Sequence, residues 1–225
     1  MKKFYFLTAD YYHPDTVLRP GLEAAFGTEN CVYVNDPAEI PWDTLSQDAA
    51  FLLIAKMDDY SSQLGHPRYE ELFAPEADWM RPEWAAALER YVSEGGGFIA
   101  LHSGTLWHED SDMARLTGGY FLRHPPQCNV RVVPTIEHPI TEGVEPFTAN
   151  DEYYMCRVYG DHVKPLALAW SPEPQGEPTV VAAWCREVAW GRVAVLTPGH
   201  TLDAILNPNM TRLLQNAAKW VTKTC

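Results

Sequence analysis

Apolar residues recur along this chain with two periods, and their alternation sets out the elements. KFYFLTA, within residues 2–9, reads as a buried first strand. HPDTVLRPGLEAAFG (13–27) follows as a helix, with Pro14 suited to its start, Gly27 to its end and Pro20 expected to kink or restart it. CVYVN (31–35) and AAFLLIA (49–55) are further strands, the second apolar on both faces, as parallel strands covered by helices are. In RPEWAAALERYVSEGGG (81–97), Trp84, Leu88 and Tyr91, with Ala85 and Val92, fall on one helical face, opened by Pro82 and closed by Gly95. GFIAL (97–101) is the next strand. Strand–helix alternation of this kind predicts an α/β fold with a mainly parallel sheet and helices on both faces.

The second half is richer in strands. CNVRVVP (128–134), EYYMCRV (152–158), KPLALAW (164–170), TVVAAWCREV (179–188) and GRVAVLT (191–197) succeed one another, with VAWG (188–191) as a hairpin turn. These are added strands, antiparallel where a hairpin joins them. NPNMTRLLQNAAKWVT (207–222) closes the chain as a helix, capped by Asn207 and buried along Met210, Leu213, Leu214, Ala217 and Val221. With no repeat, low-complexity tract or linker, one domain over 1–225 is expected. The polar stretch from Lys56 to Asp78, with six acids and two bases, reads as a solvated insertion or a lid over a site.

Charge narrows the partners. The net charge of −13 repels phosphate backbones, so nucleic acid is not expected and a small molecule fits better. Five cysteines without CxxC spacing suggest neither a disulfide framework nor a thiolate zinc site. No stretch approaches the roughly 20 apolar residues that span a membrane, and the N-terminal apolar run is too short for a signal peptide. A cytoplasmic location is expected. The exposed edge of an aromatic-rich sheet leaves room for a homodimer.

Candidate chemistry gathers at strand ends. In open parallel sheets ligands bind beyond the carboxyl ends of the strands. His13 follows the first strand, His102 ends GFIAL, and His200 ends GRVAVLTPGH (191–200). If those strands are neighbours, three imidazoles face one crevice. NDEYY (150–154) adds Asp151 and Glu152, one of which can reach the crevice while the other caps a turn or meets solvent. His13, Ser103, Trp107 and Tyr153 are candidate substrate contacts. His66 and His162 read as turn residues, and His108, in WHED, as part of a solvated helix start. Absence of GxGxxG and of a P-loop gives no support to a nucleotide cofactor. The GGG at 95–97 is a helix stop with close packing.

The ordered set GGGFIALHSG, TGGYFLRHP (117–125), EHPITEGV (137–144), NDEYY and GRVAVLTPGH resembles the trehalose-utilisation (ThuA-like) family. That resemblance implies the fold of class I glutamine amidotransferases, a flavodoxin-like, three-layer, doubly wound sheet. Those enzymes carry G-x-C-x-G at a nucleophile turn. Here the matching stretch is ALHSG (100–104), which puts His102 in the cysteine's place. Imidazole cannot replace a thiolate in thioester formation, so glutaminase activity is expected to be absent. The resemblance further implies catabolism of disaccharides such as trehalose, through 3-keto-sugars. Two roles for His102, Glu152 and His200, with His13 nearby, stand open: acid–base shuttling at a sugar, or binding zinc or another divalent metal. A non-catalytic sugar-binding or regulatory module is the alternative. A cysteine enzyme using Cys128 or Cys156 is a further one.

Overall fold

The computed structural model describes residues 2–60, 78–173 and 176–224. Its strands are β1 (Lys3–Leu7), β2 (Cys31–Val34), β3 (Ala49–Ile54), β4 (Gly97–Leu101), β5 (Gly119–Arg123) and β6 (Cys128–Pro134), then β7 (Phe147–Asp151), β8 (Met155–Val158), β9 (Lys164–Trp170), β10 (Val180–Val188) and β11 (Gly191–Leu196). The helices are α1 (Asp15–Phe26), the short α2 (Leu45–Asp48), α3 (Pro82–Ser93), α4 (Asp112–Thr117), the short α5 (Leu202–Ile205) and α6 (Pro208–Thr222).

Nine strands form one sheet in the order β2-β1-β3-β4-β11-β10-β9-β6-β7. The first five are parallel. Read along the sheet, they have the flavodoxin-like order 2-1-3-4-5, with β11 in the fifth place. The remaining four run antiparallel, β11 to β10 to β9 to β6 to β7. The fold is therefore α/β and flavodoxin-like, with antiparallel strands added in the C-terminal half. β5 and β8 form a separate antiparallel pair.

The core is two layers. Phe6, Leu18, Leu22, Ile99, Leu101, Leu214 and their neighbours fill the space between the sheet and helices α1 and α6. Leu7, Leu52, Leu88, Val92, Phe98 and Val195 pack on the other face beneath α3 and α4. Residues alternating along each strand supply the two layers, as the two-residue strand period requires. Pro20 lies inside one continuous α1 rather than between two helices.

One run of the sequence divides differently from its pattern. EYYMCRV is not one strand: β7 ends at Asp151, and β8 begins at Met155 in the other sheet. Residues 152–154 bridge the two sheets, which frees their side chains from strict alternation. The antiparallel half also curls. β7 lies four strands beyond β11, roughly 19 Å away in a flat sheet. Yet the Asp151 carboxylate accepts hydrogen bonds from the backbone N–H groups of Gly199 and His200, both at 2.9 Å. Twist accumulated over those strands brings the end of β7 back over the end of β11.

Candidate metal centre

Each converging side chain sits just beyond the carboxyl end of an upward strand: His13 after β1, His102 after β4, Glu152 after β7 and His200 after β11. His102 occupies a sharp turn. Its φ is +46°, a left-handed conformation that costs a non-glycine residue energy and persists only where surroundings enforce it. The Thr105 hydroxyl, donating to the His102 carbonyl at 2.7 Å, braces the turn. Gly104 is required two residues on, because a Cβ there would lie 2.0 Å from the Ile54 carbonyl oxygen. This is the geometry that ALHSG predicted, with an imidazole at its apex.

The hydrogen bonds fix which ring nitrogens face inward. His13 Nδ1 lies 2.7 Å from the Asp10 carboxylate, so Nδ1–H donates and the Nε2 lone pair is left over. His102 Nδ1 lies 2.7 Å from the Thr197 carbonyl, which accepts only from N–H, so His102 Nε2 also offers a lone pair. Facing it are Glu152 Oε2 at 3.4 Å and His200 Nδ1 at 3.3 Å. His200 Nδ1 and Glu152 Oε2 are 3.2 Å apart. One ligand atom from each of His13, His102, Glu152 and His200 lies within 4.8 Å of all the others. Electron-rich atoms crowded in this way call for a positive centre among them, a proton or a cation.

Electrostatics agree. Burial, the leading cause, and the neighbouring His13 push the pKa of His102 down, which favours the neutral ring a metal requires. Burial opposes charge on Glu152, but the imidazoles of His102 and His200 beside it outweigh this and hold the carboxyl far below the usual carboxylate range. Burial likewise disfavours charge on His200, and the Glu152 carboxylate beside it overcomes this and raises its pKa. Burial works against the Asp10 charge too, and His13 prevails and lowers its pKa. Behind the four side chains stands a supporting shell: Asp10 for His13, the Thr197 carbonyl for His102, and Asp151 for the backbone of His200. Metal-ligating histidines carry partners of this kind.

Among the candidate substrate contacts, Ser103 is fully buried beside His102, and its hydroxyl has no partner among the described residues. Trp107 is buried in the core, edge-on to Trp79. Tyr153 turns away: its hydroxyl reaches the carbonyls of Ala169 and Pro178. The next residue takes the place expected of it. Tyr154 stacks on His102 with ring centroids 4.1 Å apart, and its hydroxyl is 3.5 Å from His13 Nε2. Burial, followed by the charges of Glu152 and Asp10, pushes its pKa well above 10. His124 is a second residue that the pattern did not single out; its Nε2 lies 3.5 Å from the other oxygen of Glu152. Asp151 caps a turn, as one of the two NDEYY acids was expected to do.

Other sequence candidates fall elsewhere. His108 is exposed and sits 2.8 Å from Asp78, in keeping with a solvated face. Burial pushes the Cys156 thiol up to about 12, and Cys128 is buried in the core, so neither meets the needs of a nucleophile. His66 and residues 61–77 of the Lys56–Asp78 stretch, on which its lid reading turns, lie outside the described residues.

Fold and site together define a flavodoxin-like α/β protein with three histidines and a glutamate clustered at its strand ends. The trehalose-utilisation (ThuA) family model matches residues 47–221, and the chain belongs to that family. Solved structures agree on the fold. A ThuA-like protein of Bacteroides uniformis superposes with a TM-score of 0.70 at 19% identity, covering 98% of this chain and 91% of its own. Its counterpart from Parabacteroides merdae gives 0.73 at 15%, covering 100% and 90%. A Salmonella typhimurium protein described as cytoplasmic gives 0.59 at 13%, covering 98% and 99%. No curated protein sequence matches the chain. Among the described residues, no helix is long and apolar enough to cross a membrane.

Proposed function

We propose that this chain is a metal-dependent enzyme of carbohydrate catabolism, holding a divalent cation on His13, His102, Glu152 and His200 and acting on a disaccharide such as trehalose or its 3-keto derivative. The observation that carries this reading is the convergence of four ligand atoms within 4.8 Å, two of them imidazole nitrogens left unprotonated by their outer partners. The substrate class rests on the family's trehalose-utilisation description. Four protein ligands would fill a tetrahedral shell. An ion that accepts five or six ligands therefore suits catalysis better than tetrahedral zinc. A cation held here supplies a Lewis acid for a sugar carbonyl or hydroxyl oxygen. Asp10 and the Thr197 carbonyl keep His13 and His102 in the required tautomers. Asp151 pins the His200 backbone. His124, half-exposed beside Glu152, stands where a proton can pass between the cluster and solvent. No nucleotide cofactor and no nucleic-acid partner enter this reading, and a cytoplasmic location and a homodimer belong to it.

A metal-free acid–base mechanism is the second reading. The close contact of His200 Nδ1 and Glu152 Oε2, 3.2 Å, favours an imidazolium–carboxylate pair there. Elemental analysis of the purified protein separates the two. With a metal centre, the wild type carries one bound ion per chain. His102→Ala and Glu152→Ala, checked for folding by circular dichroism, lose it together with turnover of keto-disaccharides. Full metal content and activity in both variants would sink the cluster as the active centre. Sugar affinity without turnover would identify a binding module instead.

A further inference from the structure

Tyr154 holds a position that the metal reading leaves unused. Its ring is fixed by near-parallel contact with His102, centroids 4.1 Å apart at 26°, and with His124, 5.7 Å apart at 20°. Phe121 packs against it at 4.5 Å, and Met57 and Leu106 belong to the same apolar cluster. Only 3% of the residue is exposed, and the hydroxyl points at the ligand atoms. His13 Nε2, 3.5 Å from that hydroxyl, is the unprotonated nitrogen of its ring, so the tyrosine O–H is the donor in this contact. A cation held in the cluster would be bound through that same lone pair. The hydroxyl then loses its acceptor, and a buried donor without a partner carries a desolvation cost. An oxygen atom of the substrate is the acceptor that restores the bond.

We propose that the Tyr154 hydroxyl donates to the carbonyl oxygen of a keto-sugar, or to the oxyanion that develops on it, which makes Tyr154 a catalytic residue. This rests on the metal reading above. The role is electrostatic: a fixed donor aimed at growing negative charge stabilises the transition state more than the bound substrate. The hydroxyl is held on rigid packing rather than on a loop tip, as a donor of this kind must be.

Tyr154→Phe keeps the ring and removes only the oxygen. Metal content, melting temperature, turnover of a 3-keto-disaccharide, and calorimetric affinity for the keto and parent disaccharides are compared with wild type. The expected result is unchanged metal content and melting, a fall in kcat of about 10²–10³-fold, and weaker binding of the keto form with the parent unaffected. Unchanged kcat and unchanged keto affinity would overturn the proposal. So would loss of metal in the variant, which would make Tyr154 a support for His13. A wild type without metal, whose Tyr154→Phe variant still loses keto affinity, would overturn the metal reading and leave the tyrosine's role standing. A wild type that neither binds nor turns over the keto-sugar would overturn both.

Discussion

Asp10 shows how much of the centre depends on residues that never meet the ligand. Its Oδ1 accepts from His13 Nδ1–H and its Oδ2 from the Met57 N–H, so the carboxylate ties the end of β1 to the end of β3 and sets the tautomer of one ligand. Asp10→Asn keeps the shape and removes the charge, and metal affinity is expected to fall about 10–100-fold. A competition titration with a chelator measures it. A second carboxyl at the same strand ends acts on stability. Burial, the largest cause, raises Asp58 to about 6, with Asp78 and Asp59 adding repulsion against the Met80 N–H bond and the nearby His108. A folded pKa above the unfolded value of 3.8 means that the native state binds the extra proton. Stability is then lost as pH rises from about 4 through 6. Asp58→Asn is expected to stabilise the protein above pH 6, by up to roughly 3 kcal/mol, and to change little below pH 4. Thermal melts across that range decide it.

At this scale the histidines were legible, because position at a strand end is a sequence property. His13, His102 and His200 needed only the strands to be read and the crevice rule to be applied. Tyr154 was not legible. Choosing it over Tyr153 requires knowing that the strand stops at Asp151, and stopping there depends on amide donors 48 residues away on Gly199. His124 was hidden for a similar reason: its partner Glu152 lies in the segment that bridges the two sheets, 28 residues on.

Among the elements, the turn after β4 is the most exacting. Its sequence, ALHSG, announces a sharp strand exit, and the left-handed His102 and the crowded Gly104 realise it. Gly104→Ala would drive a methyl into the Ile54 carbonyl and force the chain apart. A loss of about 1–3 kcal/mol is expected, read as a lower urea midpoint, with metal retention falling alongside as His102 is displaced. The regular elements were legible because apolar periods of two and 3.6 are strong signals: GFIAL, CNVRVVP and KPLALAW match β4, β6 and β9 residue for residue. The β5–β8 pair was not legible, since its strands are short and its pairing joins residues about 35 apart.

Over the whole molecule, the acidic surface and the reduced interior are the properties that composition set. Burial raises the Cys185 thiol to about 12, and the neighbouring His138 cannot act as its base. His138 Nδ1 accepts from the Ile140 N–H, so the ring proton is on Nε2, facing sulfur at 3.8 Å. Iodoacetamide is therefore expected to leave Cys128, Cys156 and Cys185 unmodified in the folded protein and turnover intact. Mass spectrometry before and after denaturation checks this, and loss of activity on alkylation would revive a cysteine enzyme. The curl of the antiparallel half was not legible at all. Twist accumulates strand by strand, and no local pattern records its sum.

That curl has a practical meaning. His13 and His102 belong to the first half of the chain, Glu152 and His200 to the second, and between them lie the exposed residues Pro126 and Gln127. A chain divided there would give two pieces, each holding half of the ligand set. Expressed apart, neither would bind a cation as the whole does. Expressed together, recovered metal binding would signal reassembly, so the centre could serve as a built-in sensor of whether the two halves have met.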